Sequence, residues 1–258
     1  MIYFLLFFIS GINMSTSSEK ELDYLFIGDS FFASNHLAAR IRKNYRSVYD
    51  QDITIDSSFV NGRNCIMQIM RDEVLRTKLK NHPYKNIVLQ SPSLLEPGIE
   101  DDLLLAIDEI SKLCPSVEHV ILIPLNECTF FPKYECKEIK KEIECNIFQN
   151  CLEELDTIAI VSQRLSSIIK NLEVLPFSHL KKAMIDISFK KADDIHGHPS
   201  KEMQEVLARS FVIWILNQNL KPLDIHKYSN LTDSYLTLSQ EEMEHTMSKF
   251  INLLNIEH

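Results

Sequence analysis

Short apolar runs alternate with longer amphipathic segments along most of this chain, and that rhythm leaves few folds open. The runs fall at residues 24–27, 53–55, 86–90, 119–124 and 172–175, and HVILIP at 119–124 is the clearest buried strand. Between them apolar side chains recur at helical spacing. One face has Leu37, Ile41, Tyr45 and Val48, and the next has Ile66, Ile69, Met70 and Val74. Two more have Leu103, Leu104, Ile107 and Ile110, and then Leu152, Leu155, Ile158, Val161, Leu165 and Ile168. Strand then helix, repeated, is the mark of βαβ units. Uniformly apolar strands belong in a sheet buried on both faces. The expected fold is therefore α/β: a three-layer sandwich with a mostly parallel sheet and helices on both sides.

Two helices close the chain. The first presents Met203, Val206, Leu207, Phe211 and Trp214. The last opens with Ser239 and Glu242 at capping-box spacing and presents Met243, Met247, Phe250, Ile251 and Leu254. The stretch 129–145, rich in Lys, Glu and Cys, reads as an excursion from the sheet, and 218–238 is too short a connection to divide domains. With 258 residues the chain can bury a full core without metal or disulfide staples, and it fits a single domain over residues 21–258.

A net charge of −9 with scattered lysines and arginines excludes nucleic acid as the main partner, because phosphate binding needs a basic footprint. Residues 2–9 form an apolar run too short to span a bilayer and of the length of a signal-peptide core. Residues 1–20 are read as a signal peptide or anchor, which places the protein outside the cytoplasm. A start at Met14 would leave it cytoplasmic, and the membrane is a partner only if the segment stays uncleaved. Cys65, Cys114, Cys128, Cys136, Cys145 and Cys151 make an even count, with four of them between 128 and 151. That clustering suits one or two disulfides in an oxidising compartment, and it lacks the paired spacing of a zinc site.

Ligands in open parallel sheets bind beyond the carboxyl ends of the strands. Gly28-Asp29-Ser30 follows the first run, where a glycine permits a sharp turn and a serine can stand at a helix N-terminus. Asn61-Gly62-Arg63-Asn64 follows the second, and its glycine can present a bare N–H to an oxyanion. Gln90 ends the third, where its side-chain amide can donate to the same oxyanion. Asp193-Asp194-Ile195-His196-Gly197-His198-Pro199-Ser200 sets two carboxylates and two imidazoles just before the penultimate helix. A serine nucleophile needs a base, and the base needs an orienting acid. Asp193 and His196, three residues apart, suit that pairing, and Ser200 suits the cap of the next helix. Each segment also has a structural reading: an N-cap serine, a loop glycine, a polar strand end and a polar surface loop.

Together these blocks resemble the SGNH, or GDSL-like, hydrolase family over roughly residues 22–217. LFIGDSFF matches the first block and Asn61-Gly62 the second. NIVLQ looks like the variant third block of some subgroups, and Asp193-Asp194-Ile195-His196 fits the final one. The resemblance implies a flavodoxin-like SGNH hydrolase fold, with Ser30 as nucleophile and as an oxyanion donor beside Gly62 and Gln90. It implies His196 as base and Asp193 as orienting acid, with His198 and Asp194 as alternates because His198-Pro199-Ser200 also matches. It implies hydrolysis of short acyl esters, often on carbohydrates, without a cofactor. The chain departs from the family in lacking the usual third-block asparagine. Two other readings stand beside this one. His196 and His198 with Asp193 or Asp194 could ligate zinc in a metal-dependent hydrolase. The altered third block also suits a binding protein on an inactivated scaffold.

Overall fold

The structure, a computed structural model, describes residues 23–33, 36–61, 63–91, 93–124, 140–188, 200–218 and 238–256. Side chains are described for these except at 23, 140–151, 185–188, 217–218 and 253–256. Five strands form one sheet: β1 (Asp23–Gly28), β2 (Thr54–Phe59), β3 (Asn86–Gln90), β4 (His119–Ile123) and β5 (Leu172–Val174). The order is β2-β1-β3-β4-β5 and every neighbouring pair is parallel. This is the flavodoxin-like strand order, and it puts the carboxyl ends of β1 and β3 side by side at the reversal of winding.

The alternation along β1 shows how the layers form. Tyr24 and Phe26 join one core with Val88, Ile121 and Ile123. Leu25 and Ile27 join the other with Ile87, Leu89, Val120 and Leu122. Helices α2 (Leu37–Tyr49), α7 (Phe177–Ser188), α8 (Lys201–Gln218) and α9 (Gln240–Ile256) contribute to the first core. Helices α3 (Cys65–Arg71), α4 (Glu73–Asn81), α5 (Ile99–Leu113) and α6 (Lys140–Ile168) contribute to the second. Each fully buried leucine or isoleucine in these layers is worth about 1.5–3 kcal/mol relative to exposure. The expected capping box is present: Glu242 N–H donates to Ser239 Oγ at 3.2 Å, and Ser239 N–H donates to Glu242 Oε2 at 2.7 Å. No described helix is long and apolar enough to cross a membrane.

Several expectations are corrected. Strand β2 runs on to Phe59, past the apolar residues 53–55. Among the described strands it pairs only with β1, so an edge position tolerates the polar Asp56, Ser57 and Ser58. The helix expected around 66–74 is two helices, α3 and α4. Asp72 breaks them with extended backbone (φ −88°, ψ 105°), and its carboxylate takes the N–H groups of Val74 and Leu75 at 3.0 and 3.1 Å. The break rotates the pattern. Met70 and Val74 are exposed, at 42% and 80%, and Leu75 and Leu79 are buried instead. Leu104 and Ile168 are also exposed, each beside the buried stripe of its helix. Helix α7 was not anticipated, although Phe177, Leu180 and Met184 are buried at helical spacing. Helix α6 starts at Lys140, inside the expected excursion.

Candidate active site

The site is built where β1 ends. Gly28 closes the strand, and its conformation is not left-handed among the described residues. The need for glycine here is one of space. A Cβ there would lie 2.6 Å from Gln90 Oε1, 2.8 Å from Phe32 Cδ2 and 2.9 Å from Gln90 Cβ. Only a residue without a side chain lets β1 and β3 come this close at their carboxyl ends.

Gln90 uses that proximity. It is buried at the end of β3, and its Oε1 accepts the N–H of Asp29 at 3.0 Å and of Phe32 at 3.3 Å. Its Nε2 donates to Asp29 Oδ1 at 2.5 Å. The same carboxylate oxygen accepts the Phe31 N–H at 2.9 Å. One side-chain amide thus holds both ends of the turn that carries Ser30. The amide has a second Nε2 hydrogen, which is the donor an oxyanion could take. Ser30 is half-buried and opens α1 (Ser30–Ala33). That helix has four residues, so its dipole adds little.

The loop after β2 is fastened to the same point. Val60 N–H donates to Gly28 O at 3.1 Å, and Arg63 N–H donates to Val60 O at 3.1 Å. Gln68, wholly buried on α3, donates to Gly28 O at 2.7 Å and to Arg63 O at 2.8 Å. Asn64 caps α3 by accepting the Met67 N–H at 2.9 Å. Asn61 is exposed at the top of the loop. Gly62 lies outside the described residues. Cys65 is buried at the base of the site, and burial pushes its thiol up to about 12, with the nearby Asp29 charge acting in the same direction. It is a protonated packing group.

A third element reaches the turn from far along the chain. Gln204, on the first turns of α8, donates from Nε2 to the Phe31 carbonyl at 2.8 Å. Ser200 caps that helix: its Oγ accepts the Met203 N–H at 3.0 Å and its carbonyl accepts the Gln204 N–H at 2.9 Å. Helix α8 is locked against α2 by Glu205. That carboxylate accepts Arg40 Nη1 at 2.8 Å, Asn44 Nδ2 at 3.1 Å and Arg209 Nε at 2.9 Å. Three donors offset the cost of burying the charge. Asp193, Asp194, His196 and His198 lie outside the described residues, as do Cys128 and Cys136 and the side chains of Cys145 and Cys151. Cys65 and Cys114 are buried free thiols.

The structure therefore brings together Ser30, Gln90, and the loop that carries Asn61. The sequence reading missed Gln68, Gln204 and Glu205. Their signal was weak but present: each is a polar residue on the apolar face of a helix.

No family model matches the chain, and no curated protein matches it. Solved structures do. A lipase from a goat rumen metagenome is 12% identical, with a TM-score of 0.47, over 75% of this chain and 96% of that one. A protein from Slackia heliotrinireducens, named for the SGNH hydrolases, is 13% identical, with a TM-score of 0.49, over 75% and 97%. TesA is 14% identical, with a TM-score of 0.49, over 77% and 99%. These are likenesses of fold.

Proposed function

We propose that the protein is a serine-dependent hydrolase of short acyl esters, with Ser30 as nucleophile, His196 as base and Asp193 as orienting acid. The observation that carries this reading is the Gln204–Phe31 contact, because it anchors the start of α8 on the nucleophile turn. The chain entering α8 at Ser200 is the segment that holds both imidazoles. At about 3.5 Å per residue, His198 is at most about 7 Å and His196 about 14 Å along the backbone from Ser200. The proposal requires one of these two imidazoles to meet the turn that carries Ser30.

The chemistry follows from those groups. His196 takes the Ser30 proton as Oγ attacks the ester carbonyl, and a tetrahedral oxyanion forms. The N–H groups of Ser30 and Gly62 and the remaining Nε2 hydrogen of Gln90 stabilise it, each worth about 3 kcal/mol of barrier. The imidazolium returns the proton to the leaving alkoxide. Water, deprotonated by the same imidazole, then attacks the acyl-enzyme, and the acid leaves as Ser30 regains its proton. Asp193 orients the ring and offsets its charge. No residue of this scheme calls for a metal or organic cofactor. The substrate we assign is a small or carbohydrate-borne ester, met outside the cytoplasm if residues 1–20 act as a signal.

Hydrolysis of p-nitrophenyl esters of increasing acyl length tests this reading. Wild type should cleave the shortest esters, and Ser30→Ala should lose about 10³-fold or more. Equal rates in the two proteins would refute it. Loss of activity on chelation would point instead to zinc held by the 193–198 segment.

A further inference from the structure

Gln68 ties together the two main-chain segments from which the proposed oxyanion hole is made. Its Nε2 donates to the Gly28 carbonyl at 2.7 Å and to the Arg63 carbonyl at 2.8 Å, so both amide hydrogens are used. Ser58 Oγ reaches its Oε1 at 3.4 Å. The side chain is wholly buried, at 0% exposure. One carbonyl it holds lies just before Asp29-Ser30, and the other lies just after Gly62. A single side chain thus spans the base of both segments, and Val60 N–H on Gly28 O closes the same ring.

We propose that Gln68 is a positioning residue that holds the loop after β2 in register with the turn that carries Ser30, through the Gly28 and Arg63 carbonyls, and so tunes oxyanion stabilisation without touching substrate. The proposal rests on the functional reading above. Oxyanion donors act through pre-set geometry, so their effect falls when the spacing relaxes by a fraction of an ångström. A buried glutamine that only satisfied loop carbonyls would affect folding and leave turnover alone.

The test compares wild type, Gln68→Met and Gln68→Glu on p-nitrophenyl acetate. Leu79→Ala, a buried site on α4, is the stability control. Gln68→Met should lower kcat about 10- to 100-fold, with KM changed by less than about threefold. Leu79→Ala should lower the melting temperature and leave kcat near wild type. A buried glutamate at 68 faces two carbonyls and donates to one only while protonated. The activity of Gln68→Glu relative to wild type should therefore rise as pH falls. Should neither variant fold, the wild-type protein itself decides. The Gln68 side-chain amide signal should be protected from exchange and should move when a phosphonate is attached to Ser30. Wild-type kcat in Gln68→Met, or a solvent-exchanging amide indifferent to the adduct, would overturn the role of Gln68 alone. A wild type that hydrolyses no ester and takes up no phosphonate would overturn the functional reading and this inference with it.

Discussion

The side-chain amide of Gln204 donates to the main-chain carbonyl of Phe31 at 2.8 Å, joining points 173 residues apart in sequence. It fixes the start of α8 against the turn that carries Ser30. Gln204→Ala should release that registration while leaving Ser30 intact. One hydrogen bond is worth about 0.5–1.5 kcal/mol, and a barrier raised by the upper end of that range lowers kcat about tenfold. Steady-state kinetics on a short p-nitrophenyl ester would show this, and an unchanged kcat would mean the contact does not position the base.

Gly28→Ala should damage stability and activity together. The added methyl would meet Gln90 Oε1 at 2.6 Å and Phe32 at 2.8 Å, so either the sheet opens or Gln90 leaves Asp29. Overpacking of this kind costs about 1–3 kcal/mol. Urea denaturation would give the loss directly, and a variant as stable as wild type would show that the close approach of β1 and β3 is dispensable.

Glu205 is the keystone between α2 and α8. Glu205→Ala leaves Arg209, at 1% side-chain exposure, without its carboxylate. Removing one partner from such a buried group costs about 3–5 kcal/mol. The midpoint of chemical unfolding should drop accordingly, and a shift under about 1 kcal/mol would show that other groups hold Arg209.

Asp56 gives the fold an acid-sensitive contact. Burial pushes its carboxyl up, but hydrogen bonds from Lys78 and Tyr84 outweigh that and hold it below the ordinary value. The Tyr84 hydroxyl donates at 2.5 Å and Lys78 Nζ at 2.7 Å. A carboxyl lowered in the folded state lends stability above its unfolded value, near 3.9, which is lost as pH falls through the folded one. Asp56→Asn should therefore be less stable than wild type at neutral pH, and the gap should close in acid. A gap independent of pH would contradict this.

Much of the fold was legible in the sequence because the strands are short and apolar. HVILI at β4 and NIVLQ at β3 read as buried strands before any coordinates. The errors arose where local chemistry overrides periodicity. Asp72 interrupts a helix that its apolar residues alone would continue, and β2 carries polar residues because it lies at an edge. The turn at Gly28-Asp29-Ser30 was singled out in the sequence, yet the contacts that support it were not. Gln68, Gln204 and Glu205 act through contacts 40 to 173 residues away, and no local pattern encodes those. For Gln90 the sequence did not reveal that its side chain also anchors the turn that carries Ser30, through Asp29 and Phe32.

Labelling with a fluorophosphonate, followed by peptide mass spectrometry, tests the central claim most directly. The account predicts one adduct, on the peptide that contains Ser30, formed much more slowly in His196→Ala and absent in Ser30→Ala. An adduct elsewhere, or none on protein whose fold is intact, would contradict it.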